Sequence, residues 1–309
     1  MFPIIPANSV TAASGNDEGI FGFGYDTVGW LGAVAMTNLV SNAGVVSSDQ
    51  AAVTGTARNS LAACEYGGDK GIFGFGFYPN VYDTTTNLVS NTGVVATDVS
   101  GVGSGRVYLA ACEYGGDKGI FGFGSLGSDS PTAVTNLVSN AGVVSSDQAA
   151  VTGTARQSSA ACEYGEDKGI FGYGGEALTA VTNLVSNAGV VASDTVGVGT
   201  ARYRLAACSY GGDKGIFGFG SSDGSNPTAV TNLVSNVGVV SSDTVGVGTA
   251  KWAPAACEYG GDKGIFGFGH ETWPTVLSTT NLVSNVGVVA TDTVGVGTAR
   301  SGAGACSFN

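Results

Sequence analysis

Apolar and polar positions alternate with period two in short runs along this chain, and the runs return in the same order six times. In the stretch 56–98, residues 61–66 ("LAACEY") are small and apolar, 67–69 ("GGD") form a turn, and 70–76 ("KGIFGFG") alternate ring and glycine, the mark of a strand. A variable stretch, 77–85, leads to "TNLVS" at 86–90, which is β-rich. "NTG" at 91–93 tolerates the positive φ of a hairpin turn, and "VVATD" at 94–98 reads as a fourth strand. No pattern of period 3.6 lasts beyond one turn and glycine is frequent, so no helix is expected.

The phenylalanine of "GIF" falls at Phe21, Phe73, Phe121, Phe171, Phe217 and Phe266, and "TNLVSN" keeps the same beat from Thr37, Thr86, Thr135, Thr182, Thr231 and Thr280. Four short strands in a period of roughly 50 residues predict an all-β fold, a six-bladed β-propeller of four-stranded antiparallel blades. A β-solenoid also stacks repeats without helices, but its coils are shorter and a split first repeat would serve no purpose in an open stack. Alternation places Phe73 and Phe75 on one face of a blade and Ile72, Gly74 and Gly76 on the other, so that the rings of one blade insert against the glycine face of its neighbour. The first "GIFGFG", at 19–24, has no small apolar strand before it, while the chain ends on "GTARSGAGACSFN" with no middle strand after it. The strand around Cys306 is therefore expected to pair beside Ile20 to Phe23 and complete the N-terminal blade, with "SVTAAS" at 9–14 as a competitor for that place. Residues 16–309 make the propeller. Residues 1–15, with Phe2, Pro3, Ile4, Ile5 and Pro6, lie outside the repeat as a tail or attachment arm.

Charge narrows the partners. Only 12% of residues are charged and the net charge is -12, so a phosphate-tracking surface would be built against the overall field, and no nucleic acid is expected. Arg58, Arg106, Arg156, Arg202, Lys251 and Arg300 fill one slot of the repeat and Lys70, Lys118, Lys168, Lys214 and Lys263 another; Arg204 alone falls outside. Asp49, Asp98, Asp147, Asp194, Asp243 and Asp292 each stand shortly before a residue of the first slot, which points to an ion pair or turn-capping hydrogen bond rather than a cation-binding ring. With no basic n-region and no long apolar stretch, neither a signal peptide nor membrane insertion is expected. The cysteines fall once per repeat at one position, too far apart around a ring to be bridged, and are expected to be free, buried thiols.

Chemistry has few parts to work with. His270 is the single histidine, so neither a Ser/His/Asp triad nor a metal site is expected, and the glycine strips lack the Lys-Ser/Thr and helix of a phosphate loop. No cofactor and no enzymatic activity are expected. The turns "EYGGD" and "SNAG" hardly vary between repeats, whereas the loop before "TNLVS" and the end of the connection to the next repeat vary freely. In an up-and-down sheet these two lie at one end, so the divergence falls on one face. That face collects Trp30, Trp252 and Trp273, all the tryptophans, with Tyr78, Tyr82, Tyr108, Tyr203, Arg204 and His270; Tyr25 and Phe77 share its loops. These are the candidate ligand-binding residues, with Trp30, Trp252, Trp273 and His270 gathered over the seam. Rings beside Asp, Asn and Ser suit stacking on sugars or an aromatic protein interface.

The run "GTARYRLAAC…DKGIFGFG…TNLVSN…GVV" from Gly199 resembles a kelch repeat: a basic residue, a small apolar strand, a turn, a strand ending in glycines, and two further strands. The resemblance covers almost the whole chain, with Gly-Phe-Gly in place of the family's double glycine and without its outer-strand tryptophan. The repeat and the opening "PIIPANS" are also similar to proteins of environmental bacteriophages described as tail-fibre or other virion components. The resemblance implies a virion surface protein, made in the host cytoplasm, that recognises a host-surface glycan or receptor. The alternative it implies is a structural or decoration protein docked onto other virion proteins.

Overall fold

The computed structural model describes residues 17–26, 32–50, 55–127, 130–148 and 153–308. In every repeat the glycine-phenylalanine run is a middle strand: Glu18–Gly22, Lys70–Tyr78, Lys118–Gly122, Lys168–Gly172, Lys214–Gly218 and Lys263–Gly267. The small apolar run pairs antiparallel on one side of it and "TNLV" on the other; in the second sheet Ile72 lies opposite both Cys64 and Leu88. The result is an all-β protein of six three-stranded antiparallel sheets, with a hairpin of His270–Thr272 and Thr275–Val276 beside the last. Among the described residues there is no helix, hence none long and apolar enough to cross a membrane.

The expected fourth strand is reduced to two isolated bridges per sheet, Val40 to Val46 and Thr37 to Gln50 in the first. Side chains have replaced ladder bonds there. Asn38 Nδ2 donates to the Ser47 carbonyl and the Leu39 N–H donates to Ser47 Oγ, so of the reciprocal backbone pair only the Ser47 N–H to Leu39 carbonyl bond, at 2.8 Å, is left.

The first sheet is assembled from both ends of the repeat region. Glu18–Gly22 pairs with Thr37–Val40 on one side and with Gly304–Phe308 on the other, Ile20 opposite Cys306 and Phe21 opposite Ala305, as expected. The first strand of each sheet lies beside the first strand of the next. Gly304–Phe308 lies beside both Ala255–Tyr259 and Ala62–Tyr66, so the series of neighbours returns to its start.

Every junction between sheets is built alike. Phe121 presses its ring onto Gly74 of the preceding sheet, where an added Cβ would stand 2.8 Å from Phe121 Cζ, and Phe73 meets Gly22 in the same way at 2.7 Å. Phe75, however, points opposite to Phe73, contrary to the simple alternation. Its φ of 63° turns the chain, and its ring meets Phe121 of the next sheet edge-on with centroids 5.2 Å apart. Each sheet thus contributes one ring to each neighbour, and six such T-shaped pairs run from Phe23–Phe73 to Phe268–Phe21.

Over each pair sits the cation of the first slot. Arg106 is fully buried with its guanidinium 4.5 Å from the centroid of Phe75, and its Nη2 donates to Asn136 Oδ1 at 2.5 Å. Its carbonyl takes the Gly76 N–H at 2.9 Å, tying it to the sheet behind. Burial holds its pKa down at about 10, still protonated at neutral pH. The acidic residue of each repeat pairs differently from the sequence expectation. Asp98 reaches back to Arg58 and Thr56, and Asp49 to Arg300 and Thr298, rather than forward to the next basic residue. The contact to threonine is the tighter one, with Thr56 N–H at 2.9 Å and Oγ1 at 2.7 Å against 3.9 Å to Arg58. Antiparallel return of the fourth stretch beside the entry of its own sheet brings these residues together. The adjacent pairs such as Asp69–Lys70 are solvated and contribute little. All six cysteines are free and buried, with burial pushing their thiols up.

Close ring-to-glycine contact makes the glycines of the middle strands irreplaceable. Gly74→Ala is expected to destabilise the protein by about 1–3 kcal/mol, because Phe121 is locked on every side. Gly127→Ala, where nothing lies within 4 Å, should stay within about 0.5 kcal/mol in the same denaturant titration.

Candidate ligand-binding site

At the entry to each first strand one residue takes a left-handed conformation: Ser60, Tyr108, Ser158, Arg204, Ala253 and Gly302, with φ between 50° and 60°. Their peptide groups bond head to tail. The N–H of Tyr108 donates to Ser60 O at 3.0 Å, Ser158 to Tyr108 at 2.8 Å, Arg204 to Ser158 at 2.9 Å and Ala253 to Arg204 at 2.7 Å. Gly302 donates to Ala253 at 3.3 Å and Ser60 to Gly302 at 2.8 Å, so the six bonds form a cycle. With the backbone fixed, side chains at these positions are free to differ.

Two neighbouring positions of the repeat vary in step. The residue before each cycle member pairs with the residue leaving the middle strand: Trp252 with His270, Tyr203 with Ser221, and Ser301 with Tyr25. Three sets of equivalent backbone positions therefore crowd one end of the structure, and the off-repeat side chains sit on them.

His270 is the hub. Its Nε2 is hydrogen-bonded to the Tyr25 hydroxyl, and its ring lies 5.5 Å from Trp252 and 5.5 Å from Trp273. Tyr203 stands 6.3 Å from Trp252. The Arg204 guanidinium lies 4.9 Å from the ring centroids of Tyr108 and of Trp252 and 5.7 Å from Tyr203, and its Nη2 donates to the Tyr108 hydroxyl at 3.2 Å. Two cavities open among these groups. One of about 90 Å³ is walled by Leu61, Leu109 and Leu205, and one of about 290 Å³ adjoins it; Tyr108, Ser158 and Arg204 line both.

Burial sets the protonation states. It pushes His270 down to about 4 and Tyr108 up to about 12, so both are neutral across the physiological range. No described carboxylate is hydrogen-bonded to His270.

Of the candidate residues, Tyr108, Tyr203, Arg204, Trp252, His270 and Trp273 are brought together. Tyr82 stacks edge-on against Phe77 at 5.7 Å and lies close enough to Tyr108 to raise its pKa. Tyr78 stands at the tip of the long hairpin of the second sheet, 44% exposed, with no ring contact to the cluster among the described residues. Trp30 lies outside the described residues, as do the arm at 1–15 and the competing run at 9–14. Tyr25, left out of the candidate set, holds the seam side of the cluster. Its signal was its place directly after "GFG" in the first repeat, equivalent to His270 in the last.

Further along the first strands, Glu65, Glu113, Glu163 and Glu258 line an acidic cavity. Burial, reinforced by neighbouring carboxylates, raises Glu113 to about 9, Glu163 to about 7 and Glu258 to about 8. Among the described residues no three His, Cys, Asp or Glu side chains come together to hold a metal ion.

No protein-family model matches the chain, and no curated protein sequence does. Among solved structures it is similar to a fungal alcohol oxidase with catalytic diversity among the AA5 family, in complex with copper. The TM-score is 0.56 at 14% identity, over 91% of this chain and 64% of that one. At that identity the likeness is one of fold, and the copper belongs to the oxidase.

The single histidine makes the protonation state directly measurable. In a proton NMR titration the His270 imidazole should stay neutral from pH 8 down to pH 5 and protonate with a midpoint near 4. An ordinary midpoint near 6.5 would show the ring to be solvated.

Proposed function

We infer that the six sheets are blades of a closed, six-bladed, kelch-like β-propeller, and that the protein is a non-enzymatic virion surface protein binding a host-surface glycan or receptor through one face. The closure reading is supported by the cyclic order of neighbouring strands and by the cycle of hydrogen bonds from Ser60 round to Gly302. The binding reading rests on one observation: the side chains that break the repeat gather at one end, where Tyr25, Tyr108, Tyr203 and Arg204 line two adjoining cavities and Trp252 packs against Arg204 and His270. Trp273, 55% exposed beside buried His270, offers a ring face to a ligand. A sugar ring stacks on such a face through its C–H surface while neighbouring serines bond its hydroxyls. The neutral imidazole, with no carboxylate bonded to it among the described residues, favours recognition over acid–base chemistry.

One observation favours the second reading, a structural or decoration protein docked onto other virion proteins. Six equivalent valines of the "GVV" turns, Val45, Val94, Val143, Val190, Val239 and Val288, are 62–66% exposed, and a repeated row of apolar groups suits a protein contact.

Binding to a panel of host cells and extracted surface glycans separates the two. Saturable binding by the intact protein is expected, with at least a tenfold loss in the folded double variant Trp252→Ala/Trp273→Ala, in line with the energy that aromatic anchors carry. Absence of binding by the intact protein would shift the assignment to the structural role.

A further inference from the structure

We propose that the ligand taken by this face is an acidic sugar, and that Arg204 receives its carboxylate. The inference rests on the glycan-binding reading and adds the chemical class of the ligand.

Arg204 is the one basic residue that serves neither slot of the repeat, in a chain of net charge -12. The other arginines are buried at junctions, where the repeat supplies a ring and at least one acceptor for each; some of their donors, Arg106 Nε and Arg300 Nε among them, also lack a partner, so what sets Arg204 apart is its place. Arg204 instead stands at the meeting point of the two cavities. Its backbone is fixed by the hydrogen-bonded cycle, and its guanidinium is held near the rings of Tyr108 and Trp252. Of its donors, Nη2 goes to the Tyr108 hydroxyl, whereas Nε is buried with no hydrogen-bond partner. No ion pair joins it to a described carboxylate. Burying a guanidinium donor unpaired is costly, and the natural complement of that planar edge is a pair of oxygens.

The surroundings choose the kind of anion. Glu176 and Asp223 line the larger cavity, so a doubly charged phosphate would be opposed where a single carboxylate beside Arg204 is tolerated. Buried Ser159 has a hydroxyl without a partner at the smaller cavity and can bond a sugar hydroxyl. A carboxylate attached to a saturated, hydroxylated ring, as in a uronic acid, meets both features at once.

Trp252 lies against Arg204, so intrinsic tryptophan fluorescence reports on the site directly. The purified full chain would be titrated with D-glucuronate, D-glucose and a tetra-glutamate peptide at constant ionic strength, with thermal melts checking that each variant folds. D-glucuronate is expected to bind at least tenfold more tightly than D-glucose. Arg204→Met should abolish that preference, with glucuronate then binding no more tightly than glucose. Arg204→Lys keeps the charge but loses the planar fork, and should weaken glucuronate binding by about threefold or more. Equal affinity for the two sugars, or undiminished glucuronate binding by either variant, overturns the assignment to Arg204 while leaving sugar binding intact. Tighter binding of tetra-glutamate than of glucuronate overturns the sugar class, and binding of neither sugar overturns both this inference and the reading beneath it.

Discussion

Six cations lie out of water between neighbouring sheets, and the arrangement of the rest follows from keeping them there. Desolvating a guanidinium costs several kcal/mol, more than one ring or one hydrogen bond returns, so each junction must supply its contacts together. Arg58 illustrates the set: the face of Phe23 at 4.5 Å, the Phe75 carbonyl at 2.8 Å and Asn87 Oδ1 at 2.6 Å. The ring beneath the cation has to come from one sheet and the asparagine from the next. A sheet without its neighbour would strip the cation of the ring that covers it, though not of its hydrogen bonds, and that lost cover makes the pairing of sheets an obligation. Lys251, the one replacement in this slot, keeps the amide contact at 2.8 Å to Asn281, and burial lowers its pKa to about 8.

That obligation explains where variation is allowed. The middle-strand glycines and the rings are committed at junctions, so changing one disturbs two sheets, while the asparagines and threonines are committed to the cation and the acidic residue of their own repeat. Residues at the end where the chain enters each first strand are held by their backbone alone, through the hydrogen-bonded cycle. Six positions with one conformation can carry serine, tyrosine, arginine, alanine or glycine, and the two neighbouring sets vary with equal freedom. Chemistry gathers there because the scaffold makes no demand on those side chains.

Much of the fold was legible in the sequence because each sheet repeats one period-two pattern. The pairing of Cys306 beside Ile20 followed from the split first repeat, and the free thiols from their spacing. The misreadings have a common cause in backbone geometry that composition does not display. Phe75 looks like an alternating strand residue, yet its φ of 63° sends its ring to the opposite face from Phe73. "VVATD" looks like a strand, yet Asn87 Nδ2 takes the Ala96 carbonyl and limits the ladder to isolated bridges. Asp98 is nearest in sequence to Arg106, but the antiparallel return sets it against Thr56 and Arg58. Of the site, the converging rings were legible as departures from the repeat. The role of Tyr25 was not, because only the seam brings it to His270.

The central claim is that the seam, where the C-terminal strand Gly304–Phe308 completes the first sheet, is built into the series of sheets like every other junction. Native-state hydrogen exchange on the amides of the cycle tests it most directly, since Ser60 N–H bonds across the seam to Gly302 whereas Tyr108, Ser158 and Arg204 bond within the continuous chain. The proposed closure predicts that the amides of Ser60 and Gly302 exchange as slowly as those of Tyr108, Ser158 and Arg204, through the same global opening. Rapid exchange confined to Ser60 and Gly302, with the other amides protected, would contradict it.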